Sequence, residues 1–191
     1  KGSQTLLNEE VRKCWQIDAG QIVFEASEWG KFLTQILKDI RQNLGIAGTV
    51  KAIPYKLLIY GKGGHFKAHR DTEKLDAMFG TLIVALPSLH EGGRLRIRHD
   101  GREEQVDFSR ADHSHEFQYS AFFADCEHEV EPVTSGYRVC MVYNLCLQSG
   151  NPEQLNATVK DQAARLVSPL RTLAEKNAGN LRAVLLEHSY T

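Results

Sequence analysis

The sequence predicts an α+β domain that is mainly β, a sandwich or barrel with helices at its flanks. Three observations carry this expectation. Between residues 50 and 147, short apolar stretches alternate with Gly, Pro, Asp and His punctuation. So many short strands in succession fit a sandwich or barrel better than alternating βαβ units. Helical periodicity appears before this region, over Glu28–Leu44, and returns after Gly150.

Taken in order, residues 1–19 are ambiguous, with a short helix around Leu6–Trp15 as the reading. A brief strand near Gln21–Glu25 leads to Ser27, a good N-cap. Trp29, Phe32, Leu33, Ile36, Leu37 and Ile40 then share one helical face, and Gly45 is the stop. Lys31, Lys38 and Arg41 read as its solvated face. Strands follow at Tyr55–Tyr60, Thr81–Leu86, Leu95–Arg98, Glu104–Phe108, Ser120–Phe123 and Arg138–Leu147. His99-Asp100-Gly101-Arg102 joins two of them as a hairpin, because Asp-Gly favours turns with positive φ. Leu155, Val159, Ala163, Leu166, Val167 and Leu170 line a further helix, with Pro169 as a kink or boundary. Leu181–Tyr190 is apolar and stops abruptly, which fits the edge of a larger protein. The expected organisation is a single domain over 1–191, with a core at about 50–147 and flanks at 1–49 and 151–191.

Composition narrows the function classes. The 191 residues are 42% hydrophobic and 25% charged, with a formal net charge of −1. That balance gives no indication of a nucleic-acid partner. Apolar runs fall short of the ~18 residues a membrane span needs, and the N-terminus lacks the order of a signal peptide. Cys14, Cys126, Cys140 and Cys146 form no CxxC and read as reduced core thiols. Together these features predict an intracellular protein of cytoplasm or nucleus.

The chemistry concentrates in few residues. His69-Arg70-Asp71 is an H-x-D triplet after a strand and a glycine-containing turn, so both ligand types point to one side of an extended segment. Alone it means little, since chance gives about 0.4 such triplets in this composition. His128 follows another apolar strand, and Arg138 lies ten residues further on. Two histidines and a carboxylate on a β-scaffold make a facial triad for non-heme iron(II), which leaves coordination positions open. A 2-oxo acid can fill two of them, and an arginine fork suits its far carboxylate.

These segments resemble a known family. Tyr60-Gly61-Lys62-Gly63-Gly64-His65-Phe66-Lys67-Ala68-His69-Arg70-Asp71 is similar to the first metal-binding segment of the prolyl 4-hydroxylase-like 2-oxoglutarate oxygenases. Glu91-Gly92-Gly93 resembles their E-G-G strand, and His128–Arg138 their second segment, H-x-V-x-P-V-x-x-G-x-[KR]. The resemblance implies a double-stranded β-helix, the jelly-roll or cupin-like core. It implies iron(II) on His69, Asp71 and His128, with 2-oxoglutarate held by Arg138 and Tyr60. O2 would be consumed and ascorbate would support turnover. The implied reaction is hydroxylation of a C–H bond on a protein or peptide side chain, proline first. Asn144 departs from the family, which often places tryptophan there near the substrate. Other readings are an oxygenase of nucleic acids or small molecules, a cupin-like metal protein using no 2-oxo acid, and a non-catalytic binding module.

The remaining polar residues have plainer readings. Asp125 and Glu127 are expected to be solvated, although either could orient a ligand. His113 and His115 fall in an expected exposed loop, and His65 and His99 read as turn residues. Arg94, Arg96 and Arg98 share one strand face, expected to be solvated, with a substrate-facing basic strip as the sharper alternative.

Overall fold

A computed structural model describes residues 9–23, 27–46, 48–72, 74–109 and 117–149. The expected helix near Leu155–Leu170, the Leu181–Tyr190 segment and the His113–His115 loop lie outside these residues.

Twelve strands and one long helix are described, with two five-stranded antiparallel sheets as the frame. In chain order the strands are β1 (Arg12–Lys13), β2 (Trp15–Asp18), β3 (Val50–Tyr60), β4 (His65–His69), β5 (Met78–Ala85) and β6 (His90–Gly92). There follow β7 (Leu95–His99), β8 (Arg102–Val106), β9 (Gln118–Phe123), β10 (Glu127–Val130), β11 (Val133–Gly136) and β12 (Arg138–Leu147). One sheet runs β1-β4-β10-β7-β8, the other β2-β3-β12-β5-β9, and β11-β6 forms a small third ladder. Passing from β3 to β4 to β5, and again from β9 to β10 to β12, the chain crosses between the two large sheets. This winding is the double-stranded β-helix that the resemblance implied.

The apolar strands formed where the pattern placed them. Every residue of β5 is buried, as fits an apolar strand held between β12 and β9 inside its sheet, and α1 (Ser27–Asn43) packs near β3 of the same sheet. Ile36 and Ile40 of α1 are buried in the common core, and the Trp29 indole donates to Tyr143 Oη at 3.0 Å. Gly45 ends the helix at φ 58°. Its N–H bonds Gln42 O at 3.2 Å and that of Ile46 bonds Arg41 O at 2.8 Å, the paired closure that a left-handed residue permits. Asp100 and Gly101, at φ 46° and 75°, turn the β7–β8 hairpin as expected.

The helix expected near the N-terminus is not formed over its described residues. Arg12–Lys13 and Trp15–Asp18 are strands, not part of a helix; Ala19–Gln21 is a single 3-10 turn where the strand expected near Gln21–Glu25 would begin, the end of which lies outside the described residues. β1 pairs with β4 and β2 with β3. The unpaired N–H and C=O groups of both sheet edges outweigh a weak local helical preference. Among the described residues no helix is long and apolar enough to cross a membrane. All four cysteines are free thiols, three of them buried.

Candidate metal centre and cleft

The facing sheets bring together residues far apart in sequence. His69 closes β4 and His128 lies on the neighbouring β10, directly opposite it in register. Asp71 follows β4 by two residues and turns toward the second sheet, where Thr81 Oγ1 of β5 donates to its Oδ2 at 2.5 Å. Ligand atoms of His69, Asp71 and His128 all lie within 4.8 Å of one another, and His128 Nε2 is 3.7 Å from Asp71 Oδ2.

The histidines are prepared as ligands. His69 Nδ1 faces Lys67 O at 2.9 Å, and His128 Nδ1 faces Cys126 O at 3.2 Å. Each Nδ1 therefore carries the proton and donates it to a backbone carbonyl, leaving Nε2 as the lone-pair donor. Burial holds both imidazoles below their ordinary range, and for His69 the neighbouring His128 adds to the effect. Both are thus neutral near pH 7, the state that ligates a metal. Phe66 stacks on His69 with centroids 3.6 Å apart, and Phe122 packs 4.6 Å from His128, so the ring planes are fixed from outside.

Arg138 begins β12 on the other sheet, in register with Tyr60 of β3. It is 1% exposed, its guanidinium lying 5.3 Å over the Tyr60 ring and 5.4 Å over Phe108. Its Nη1 reaches Cys140 Sγ at 3.3 Å, but Nε and Nη2 meet no hydrogen-bond partner among the described residues. An unpaired buried ion costs several kcal/mol, so two orphaned donors on one guanidinium suit an anionic ligand. Gly93 makes room beside it: at φ 67°, a Cβ there would sit 3.0 Å from Arg138 Cδ and 2.9 Å from Val133 Cγ2. Burial also pushes the Tyr60 phenol far above its usual range, which keeps it a neutral hydroxyl.

A cleft of about 180 Å³ opens over the triad. Leu58, Ile83, Val130 and Val142 form its apolar walls, Tyr60 its inner end, and Asn144 a polar spot near Thr81. The triad atoms could hold one cation, and Arg138 one carboxylate beyond Tyr60.

Other polar residues are used differently. Arg94 pairs with Asp107 at 3.3 Å, Arg96 with Glu103 at 2.8 Å, and Arg98 with Glu103 at 2.7 Å and Glu129 at 2.5 Å. That strip is a neutralised outer face. Glu127 lies 3.4 Å from Arg98 and Asp125 3.5 Å from His99, so the Cys126 carbonyl, not either carboxylate, orients His128. His65 and His99 stand in strands rather than in turns. Sequence reasoning missed Thr81, which carries no signal inside an apolar strand. It also missed Phe66 and Arg12, the second because its segment reads as a helix.

Residues 55–146 match the family model described as the 2OG-Fe(II) oxygenase superfamily. Comparison with curated protein sequences gives no match. Among solved structures, a Pseudomonas putida prolyl-4-hydroxylase is similar at 21% identity and a TM-score of 0.49, over 75% of this chain and 77% of that one. A viral collagen prolyl hydroxylase from Paramecium bursaria Chlorella virus-1, in its 2OG complex, shows 16% identity and a TM-score of 0.48, over 71% and 79%. A Trichoplax adhaerens prolyl hydroxylase, in complex with a hypoxia inducible factor oxygen degradation domain peptide fragment, shows 16% identity and a TM-score of 0.47, over 70% and 63%.

Proposed function

We propose, from the 2OG-Fe(II) oxygenase character of residues 55–146, that this protein hydroxylates a C–H bond on a protein or peptide side chain. In this reading iron(II) sits on His69, Asp71 and His128, and 2-oxoglutarate is its co-substrate. The observation that carries the reading is the pairing of two features inside one β-helix. Three converged ligand atoms lie at one level, and a buried guanidinium with two free donors lies at another.

The donor set fits the group. Two neutral imidazoles and one carboxylate, all from the same side, leave positions open for a chelating 2-oxo acid and O2. When bound, iron(II) and 2-oxoglutarate supply the oxidising power for the C–H bond, as 2-oxoglutarate is decarboxylated to succinate. The chain's own part is positioning. Arg138 offers Nε and Nη2 to the distal carboxylate, an arrangement in which a planar fork binds two oxygens at once. The Tyr60 ring supports that guanidinium and borders the inner end of the cleft. Leu58, Ile83, Val130 and Val142 exclude water from the space between. Thr81 holds Asp71 through Oδ2, the oxygen that lies 3.7 Å from His128 Nε2, and so fixes the carboxylate beside the histidines.

The test is turnover with iron(II), 2-oxoglutarate, O2 and ascorbate, read as succinate and as a gain of one oxygen on candidate peptides. Succinate that rises with a peptide substrate supports the proposal. A protein that binds no iron, or makes no succinate with any substrate, refutes it.

A further inference from the structure

Charge on the described surface is distributed unevenly. The outer strip of β7 and its neighbours spends Asp107, Glu103, Glu127, Glu129 and Glu131 on Arg94, Arg96 and Arg98. Around the cleft the opposite holds. Its described charged residues are Arg12, Lys56, Arg70 and Lys74 against a single carboxylate, Asp71, which is turned toward the triad.

The cations at the cleft are positioned without being neutralised. Gln16 Oε1 accepts from Arg12 Nη2 at 3.3 Å and from Lys56 Nζ at 2.8 Å. The Tyr55 hydroxyl accepts from Lys74 Nζ at 2.9 Å, with the same ammonium 4.1 Å over the Tyr55 ring. Arg12 lies 5.0 Å over Phe66, the ring that backs His69. Among the described residues the exposed Asp18 lies 3.9 Å from Lys56, and at that distance it contributes little. Neutral tethers fix direction and leave the full charge facing the cleft.

The co-substrate does not account for this charge. Arg138 lies level with Tyr60, whereas Tyr55 and Lys56 stand five and four residues back along β3. At ~3.3 Å per residue that separation is roughly 13–17 Å. One five-carbon diacid anchored at Arg138 and chelating at the triad leaves the outer cations unmatched. A polyphosphate chain fits poorly as well. Beyond Arg70 the surface balances Asp100, Glu103 and Glu127 against Arg98 and Arg102, so the positive surplus is confined to the cleft, an extent that suits a few carboxylates rather than a long, uniformly anionic backbone.

Building on the oxygenase reading above, we propose that the cleft selects an acidic peptide segment, with Asp or Glu side chains flanking the oxidised residue and held by Arg70, Lys74, Lys56 and Arg12. Arg70 and Lys74 are exposed at the rim and make the first contacts. Lys56 and Arg12, half-buried, receive a carboxylate deeper in.

The experiment is fluorescence anisotropy on the full chain with iron(II) and 2-oxoglutarate under nitrogen. The probes are labelled peptides of about ten residues whose central proline is flanked by Glu, Gln or Lys, and a single-stranded oligonucleotide of similar charge. The Glu peptide should bind about tenfold tighter than the Gln peptide, the combined effect of a few exposed ion pairs. Added salt should erase that margin, and the double change Arg70→Glu with Lys74→Glu should invert it in favour of Lys. Equal binding of the three peptides, tighter binding of the oligonucleotide, or indifference to the charge reversal overturns the proposal. The visible band that 2-oxoglutarate gives with bound iron(II) reads the oxygenase assignment separately. Its absence with selectivity intact removes the reaction and leaves the surface; its presence without selectivity does the reverse.

Discussion

Thr81 Oγ1 donates a 2.5 Å hydrogen bond to Asp71 Oδ2 and so ties the carboxylate of the candidate metal centre to the sheet opposite its histidines. His69 and His128 stand on β4 and β10, while Thr81 stands on β5 between β12 and β9. The centre therefore depends on both layers, and each layer can be tested separately.

Thr81→Val keeps the shape of the side chain and deletes the donor. Loss of a hydrogen bond that orients a metal-bound carboxylate weakens metal by roughly 10- to 100-fold. Iron(II) or manganese(II) titration should show that loss with little change in unfolding temperature. His69→Ala, His128→Ala or Asp71→Ala should abolish stoichiometric binding.

Arg138→Met removes the buried guanidinium and leaves an apolar side chain of similar reach. Hydrogen bonds to a charged group contribute about 1.5–3 kcal/mol, so 2-oxoglutarate affinity should fall on the order of 10- to 100-fold while metal binding persists. Because the unpaired charge is costly in the absence of ligand, the variant should be no less stable than the wild type without 2-oxoglutarate. Differential scanning calorimetry with and without the co-substrate checks both statements.

Gly93→Ala tests the space beside that arginine. The residue sits at φ 67°, and the added Cβ meets Arg138 Cδ and Val133 Cγ2. A left-handed non-glycine residue costs about 1–3 kcal/mol, so unfolding temperature should drop. The KM for 2-oxoglutarate should rise more than the metal Kd, since Arg138 is the side chain displaced.

The pH dependence has a fixed sign. Burial depresses both site histidines in the folded state, so below about pH 6.5 the unfolded chain binds more protons than the folded one. Stability contributed by the neutral imidazoles is present above that pH and is lost as pH falls through it. Metal-free protein should melt progressively lower from pH 7 toward pH 5.5, and saturating metal should raise the melting temperature throughout while leaving the slope at least as steep, because metal-bound imidazoles take up no protons that the unfolded chain still binds.

How much of this was legible follows from what each strand faces. β3, β5 and β12 turn apolar residues into a two-layer core, and alternation with turn residues exposed them. β4 and β10 are poor strands by pattern, because their inward positions carry His69 and His128 where a core strand would carry Val or Ile. The same polarity that hid them as strands marked them as candidate ligands, and the structure brings them together with Asp71. Arg138 was legible by its offset from His128, and its burial explains why an arginine stands at the head of an otherwise apolar strand. Thr81 and Gln16 could not be read, since their roles arise only when two sheets, or two sheet edges, face each other. Arg12 was lost with the mistaken helix, and with it one side of the cationic cleft.

Anaerobic titration of the iron(II)-loaded protein with 2-oxoglutarate, followed in the visible spectrum, tests the central claim most directly. The account predicts a saturable charge-transfer band at one equivalent of iron, whose midpoint moves at least about tenfold higher in Arg138→Met. A wild-type protein that holds iron yet develops no band, or a band whose midpoint ignores Arg138, would contradict it.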